Sequence, residues 1–236
     1  MGPGGRRRAA AIYAAAALSL VYLAAVRVFP GRDPATQADM TEAARLMVRA
    51  TAVLRDCRLA GGFTLDPAAD PNGTGLIGVE SSAVTTSAGR LEAKRTATNP
   101  DFAALAVSLL REAGARPGDA VAVGASSSFP GLIVATLSAA RVLGLEPLVI
   151  SSLGASEWGA NVPGFGWLEM EDCLRAAGLC DYAPVARSVG GEGDIGRDMD
   201  PAGRSGLEAR LRAGDAPFLE EPDLGRNVGR RVALDR

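Results

Sequence analysis

Residues 117–143, PGDAVAVGASSSFPGLIVATLSAARVL, constrain the fold more than any other stretch. Residues 120–123 form a short apolar run behind Pro117, Gly118 and Asp119, the pattern of a buried strand. Residues 124–131 hold three serines, two glycines and a proline, with no charge. Residues 132–143 are apolar almost throughout, enough for about three helical turns. A second apolar run, LEPLVI at 145–150, follows at once. Strand, helix and strand over this span match a parallel crossover unit. The prediction is an α/β, three-layer domain with a mostly parallel sheet. Its ligand site would lie beyond the carboxyl ends of the strands. There, helix-start N–H groups and the hydroxyls of Ser126, Ser127 and Ser128 can meet a ligand. The same small residues also fit a helix packed tightly on a sheet, with no ligand.

Polar residues follow the second strand as well. Ser151, Ser152, Ser156, Glu157, Trp158 and Asn161 lie there, and Trp158, Phe165 and Trp167 fall within ten residues among glycines. Such a loop either closes over a ligand or covers the sheet edge. Upstream, Lys94 stands beside Arg95 and Thr96, ahead of Thr98, Asn99 and Pro100. Asn99 and Pro100 suit an N-cap and first turn, predicting a helix over 100–113. Lys94, Arg95, Thr96 and Thr98 then form a candidate anion site, or a solvated basic pair before a capped helix.

Composition narrows the chemistry. The chain has no histidine, which excludes Ser-His-Asp and Cys-His catalysis and histidine-ligated zinc. Its 25 basic residues are 24 arginines and Lys94, and a net charge of -2 gives no reason to expect nucleic acid as a partner. Three cysteines are too scattered for a metal cluster, so no metal is expected and no cofactor is implied. Cys173 and Cys180 are close enough in sequence to pair outside the cell, leaving Cys57 free. A serine nucleophile needs a base, and Lys94 is the one lysine available. Ser126, Lys94 and Glu80 are the catalytic candidates, with carboxylate chemistry through Glu80, Glu157 or Asp194 left open. Gly124 to Ser128 matches neither a nucleophile elbow nor a Walker A loop. Residues 189–200, VGGEGDIGRDMD, read as an acidic loop or flexible connection outside the core.

The N-terminal end carries Arg6, Arg7 and Arg8, then 18 uncharged residues over 9–26. As a helix these span about 27 Å, near the hydrocarbon thickness. The expectation is an uncleaved signal anchor over 1–28 with its N-terminus inside; a cleaved signal peptide is the rival. A stem helix over 29–62 and an α/β domain over 63–236 follow.

Four blocks, LIGVESSAVTTSAGRLEAKRTATNPDFAAL, GDAVAVGASSSFPGL, SSLGASEWGANVPGFGWLEME and SVGGEGDIG, resemble the poly-gamma-glutamate system protein family. The resemblance spans roughly residues 27–231 and includes Glu80, Lys94, Arg95, Thr96, Ser126, Ser128, Ser156, Trp158, Asn161 and Asp194. It implies a bacterial, single-pass membrane protein with its soluble part outside the cytoplasm, found with capsule polymer machinery. Family members extend further, so it also implies a chain incomplete at its C-terminus. It supplies no defined reaction. The function expected from it is an anchored accessory protein of poly-gamma-glutamate biosynthesis or export. Ligand contacts would come from Lys94, Arg95, Thr96, Ser126, Ser127, Ser128, Ser156, Trp158 and Asn161. The implied partners are poly-gamma-glutamate or a related carboxylate-bearing anion, the synthase membrane components and the membrane. A hydrolase or transferase acting on the polymer and a structural synthase subunit are the alternatives. The binding reading requires the basic pair and the serine turn to face one cavity.

Overall fold

The computed structural model describes residues 3–28 and 33–234. Two units are compact in themselves, Met1–Ala38 and Asp39–Arg236. The alanine-rich N-terminal stretch forms helix α1, Pro3–Val28. Side chains at 12–24 are exposed. Among the described residues, no helix is long and apolar enough to cross a membrane. That finding overturns the expected transmembrane anchor and single-pass membrane localisation. Residues 29–32, where the expected stem begins, lie outside the described residues.

Helix α2, Pro34–Ala60, buries Ala43, Leu46, Met47, Ala50, Leu54 and Arg58 along one stripe. Val48, which fits the apolar period, is 53% exposed. Arg58 donates to the carbonyls of Gly75 and Ile77, pinning the following chain in an extended path. Residues 76–79, although extended, therefore make no ladder; Trp158 and Asn161 take backbone groups of Gly78 and Val79 instead.

Two helices follow, α3 (Leu91–Ala97) and α4 (Asp101–Glu112). Asn99 Oδ1 accepts from the Asp101 N–H at 3.0 Å, so the expected helix start holds. The central unit also forms: strand β1 (Ala120–Ser126), helix α5 (Pro130–Leu143) and strand β2 (Glu146–Ser152), with β1 and β2 parallel in register from Ala120–Glu146 to Ser126–Ser152. Gly144 ends α5 in the left-handed region at φ 65°, where glycine carries no steric cost. A small hairpin, β3 (Asn161–Val162) and β4 (Phe165–Gly166), leads into α6 (Trp167–Ala176). Strand β5 (Ala186–Ser188) adds to β2, giving the parallel order β1-β2-β5. Helices α7 (Pro201–Ala213) and α8 (Leu224–Leu234) follow.

The α/β class and parallel pairing stand, but the sheet is small and not covered as three layers require. Ala120, Ala122, Gly124 and Ser126 on the outer face of β1 are exposed. The main core lies on the other face, where α2, α4, α5 and α6 pack through residues such as Met47, Leu54, Val107, Val134, Val149 and Trp167. Cys57 of α2 bonds Cys173 of α6, not Cys180, which is free and buried. Cys173 and Cys180 sit on opposite sides of the helix-ending Gly178 turn, whereas Cys57 packs directly against α6.

Helix α8 is turned opposite to the usual amphipathic helix. Leu224, Val228 and Val232 are exposed while Asn227 is buried. Asp194 explains the orientation: it accepts from Ser188, Asn227 and Arg231. The glycine-rich stretch around it is thus fastened to the body of the fold, with Val189 and Met199 buried at either end, contrary to a loop lying outside the core.

Candidate functional site

Lys94 sits on α3 yet is only 3% exposed. Its Nζ donates to the Ser128 carbonyl at 2.5 Å and to Ser156 Oγ at 2.7 Å, and lies 3.8 Å from the centre of the Phe129 ring. Ser128 and Phe129 belong to the loop after β1; Ser156 belongs to the loop after β2. The lysine therefore meets the carboxyl ends of two adjacent parallel strands, the place where α/β domains bind ligands. Ser128 Oγ accepts from the Ser156 N–H at 3.0 Å, tying the loops together.

Burial pushes the Lys94 ammonium down from 10.5 to about 8, and no carboxylate among the described residues offsets this. With its pKa near 8, Lys94 is still mostly protonated at neutral pH but has a neutral fraction that can accept a proton, far larger than that of an ordinary lysine. An open cavity of about 430 Å³ reaches Lys94 and Ser156 past Ala88, Gly89, Arg90 and Phe129. Arg90, Lys94 and Ser156 supply its polar side chains.

Glycines set this geometry. A Cβ on Gly131 would lie 2.4 Å from the Ala97 carbonyl oxygen, so α3 approaches α5 closely enough to carry Lys94 inward only because residue 131 has no side chain. A Cβ on Gly159 would lie 2.9 Å from the Ser127 carbonyl oxygen, so the 156–161 loop also rests against the serine turn.

The other sequence-derived candidates separate into different roles. Ser127 is fully buried and donates to the Ser152 carbonyl at 2.6 Å, which makes it a loop brace. Ser126 is exposed, and its Oγ accepts from the Ser128 N–H. Asn161 is fully buried, joined to both backbone groups of Val79 and to Thr85 Oγ1. Trp158 has φ 63°, and its N–H donates to the Val79 carbonyl. The tryptophan loop is thus a fixed layer. Glu80 is exposed, outside the Lys94 cavity.

Arg95 and Thr96 face away from Lys94. Helical geometry turns neighbouring residues by about 100°, so adjacent basic side chains diverge. Both line a separate cavity of about 590 Å³ with Thr51, Arg55, Asn72, Thr98 and Asn99. Arg95 donates to the carbonyls of Ala68 and Ala69. The single carboxylate-holding site expected from the basic pair and serine turn does not form. Together with the missing membrane span, this withdraws the anchored, polymer-binding role. Thr51 and Arg55 lie four residues apart on one face of α2; that spacing was readable, but its meeting with α3 was not.

No family model, curated protein or solved structure matches the chain.

Proposed function

We propose that the chain is a serine–lysine acyl-transfer enzyme, a hydrolase of a small ester or amide, with Ser156 as nucleophile and Lys94 as general base. The observation that carries this reading is the 2.7 Å contact between Ser156 Oγ and a buried lysine whose pKa is lowered to about 8. Neutral Lys94 takes the hydroxyl proton as Ser156 Oγ bonds to the substrate carbonyl carbon. The carbonyl electron pair moves to oxygen. It returns as the bond to the leaving group breaks and the Lys94 ammonium gives its proton to that group. Water, giving a proton to Lys94, then attacks the acyl-serine; the acyl–Oγ bond breaks, Lys94 returns the proton to Ser156 Oγ, and the acid leaves. The Ser128 carbonyl holds the Nζ beside Ser156 throughout, as an orienting third group does in other activated nucleophiles. The alanines and Phe129 in the cavity suit an apolar acyl group, and Arg90 suits an anionic substituent.

Kinship with the poly-gamma-glutamate system proteins is also proposed, on the sequence motifs alone; the anchored polymer-binding role is not part of it. An alignment of full-length homologues in which Lys94 and Ser156 vary independently would count against shared chemistry.

The decisive test is labelling with a fluorophosphonate followed by peptide mapping, alongside hydrolysis of p-nitrophenyl esters. The expected result is one adduct at Ser156, lost in Ser156→Ala and reduced at least 100-fold in Lys94→Met. Turnover unchanged in Ser156→Ala, or no adduct at Ser156 in a folded protein, refutes the proposal.

A further inference from the structure

We infer that the cavity between α2 and α3 is a second binding site, for the phosphate group of a small phosphate monoester with an apolar body. It is separate from the Lys94 site. Its volume of about 590 Å³ falls within the range of small-molecule pockets. Two guanidinium groups, Arg55 from α2 and Arg95 from α3, line it, and no carboxylate side chain does.

Arg95 is oriented for the task. Its Nε and one Nη are committed to the Ala69 and Ala68 carbonyls, which fixes the plane of the fork. The other Nη remains for a ligand. Arg55 pairs with Asp56, whose side chain is 67% exposed, so that carboxylate is a solvent-screened partner which an incoming dianion can replace. Thr51 lines the cavity, and its Oγ1 is enclosed without a hydrogen-bond partner. A buried hydroxyl is normally satisfied; a turn about χ1 would let this one donate to a ligand oxygen. Asn72 and Asn99 bring amide groups to the same wall.

Several donors, two positive charges and no acid suit a dianion with three terminal oxygens better than a carboxylate with two. Val48, Ala52 and Pro100 form the apolar side of the cavity, which suits a carbon body attached to the phosphate.

The experiment is calorimetric titration of the full chain with phenyl phosphate, inorganic phosphate, benzoate and benzamide. Wild type is compared with Arg55→Gln, Arg95→Gln and Arg49→Gln. Arg49 lies on the same helix and pairs with Glu42 outside the cavity. Phenyl phosphate is expected to bind most tightly and to weaken with added salt. Inorganic phosphate should follow, and benzoate should bind at least tenfold more weakly than phenyl phosphate. Each cavity arginine should cost about tenfold or more in affinity, as for the loss of a charge-assisted hydrogen bond; Arg49→Gln should cost nothing. Should Arg95→Gln fail to fold through loss of its Ala68 and Ala69 contacts, Arg55→Gln decides alone. Equal affinity in wild type and Arg55→Gln, equal binding of benzoate and phenyl phosphate, or no binding to folded wild type overturns the inference. Fluorophosphonate labelling of Ser156 is expected to be unchanged in Arg55→Gln, so the two sites stand or fall separately.

Discussion

Replacing Lys94 with methionine should change how stability depends on pH. In the folded chain the ammonium is disfavoured by burial, and its pKa falls from 10.5 to about 8. The difference corresponds to about 3 kcal/mol against the charged form. Because the folded pKa lies below the unfolded one, the penalty is fully present below pH 8. It is lifted as pH rises from 8 towards 10.5, where the unfolded lysine also loses its proton. Wild type should therefore gain most of that 3 kcal/mol relative to Lys94→Met across this interval. The assay is urea denaturation of both proteins at several pH values from 7 to 10, read as the difference between them. Burial pushes the Cys180 thiol up to about 11 and raises the Tyr182 hydroxyl. Both groups lower stability at alkaline pH in either protein, and both cancel in the difference. The rate of Ser156 labelling should rise over the same range with a midpoint near 8. A stability difference that stays flat from pH 7 to 10, or an Nζ that titrates above 10 by NMR, would refute a near-neutral lysine and the base role built on it.

Three further outcomes follow from the packing. Gly131→Ala sets a methyl against the Ala97 carbonyl and should displace α3, slowing Ser156 labelling several-fold at a cost of about 1–3 kcal/mol in urea denaturation. Serine at both Cys57 and Cys173 opens a crosslink spanning 116 residues; the chain-entropy relation sets the loss at up to about 5 kcal/mol, and an unchanged denaturation midpoint would show that the bond does not form in solution. Asp194→Ala removes the acceptor shared by Ser188, Asn227 and Arg231. It should cost about 2–3 kcal/mol and expose α8 to limited proteolysis, with Ser156 labelling retained.

Local pattern determined much of this fold. The apolar run after Asp119, the long apolar helix and the second run after Gly144 place a parallel β1-α5-β2 unit, because burying such segments with paired backbones leaves few arrangements. The absence of histidine left Lys94 as the one lysine base for a serine nucleophile, with carboxylate chemistry still open. Other features were beyond local reading. The three-residue β5 has no periodicity to detect and exists because β2 and the 217–219 segment supply its hydrogen bonds. Residues 76–79 look like a strand but are held extended by Arg58, a partner on α2. The apolar N-terminal run suggested a span, yet a hydropathy pattern does not by itself place a helix in a bilayer.

The candidate site divides along the same line. Sequence singled out Lys94 and the serines because their functional groups are scarce or clustered. Only tertiary structure decided that Lys94 meets Ser156 and not Ser126, that Arg95 belongs to another cavity, and that Cys57 takes Cys173. Residue type and local period are written along the chain. Which side chains meet depends on how close two backbones come, and here that distance is set by glycines at 131 and 159 whose effect appears only once α3, α5 and the loops are packed.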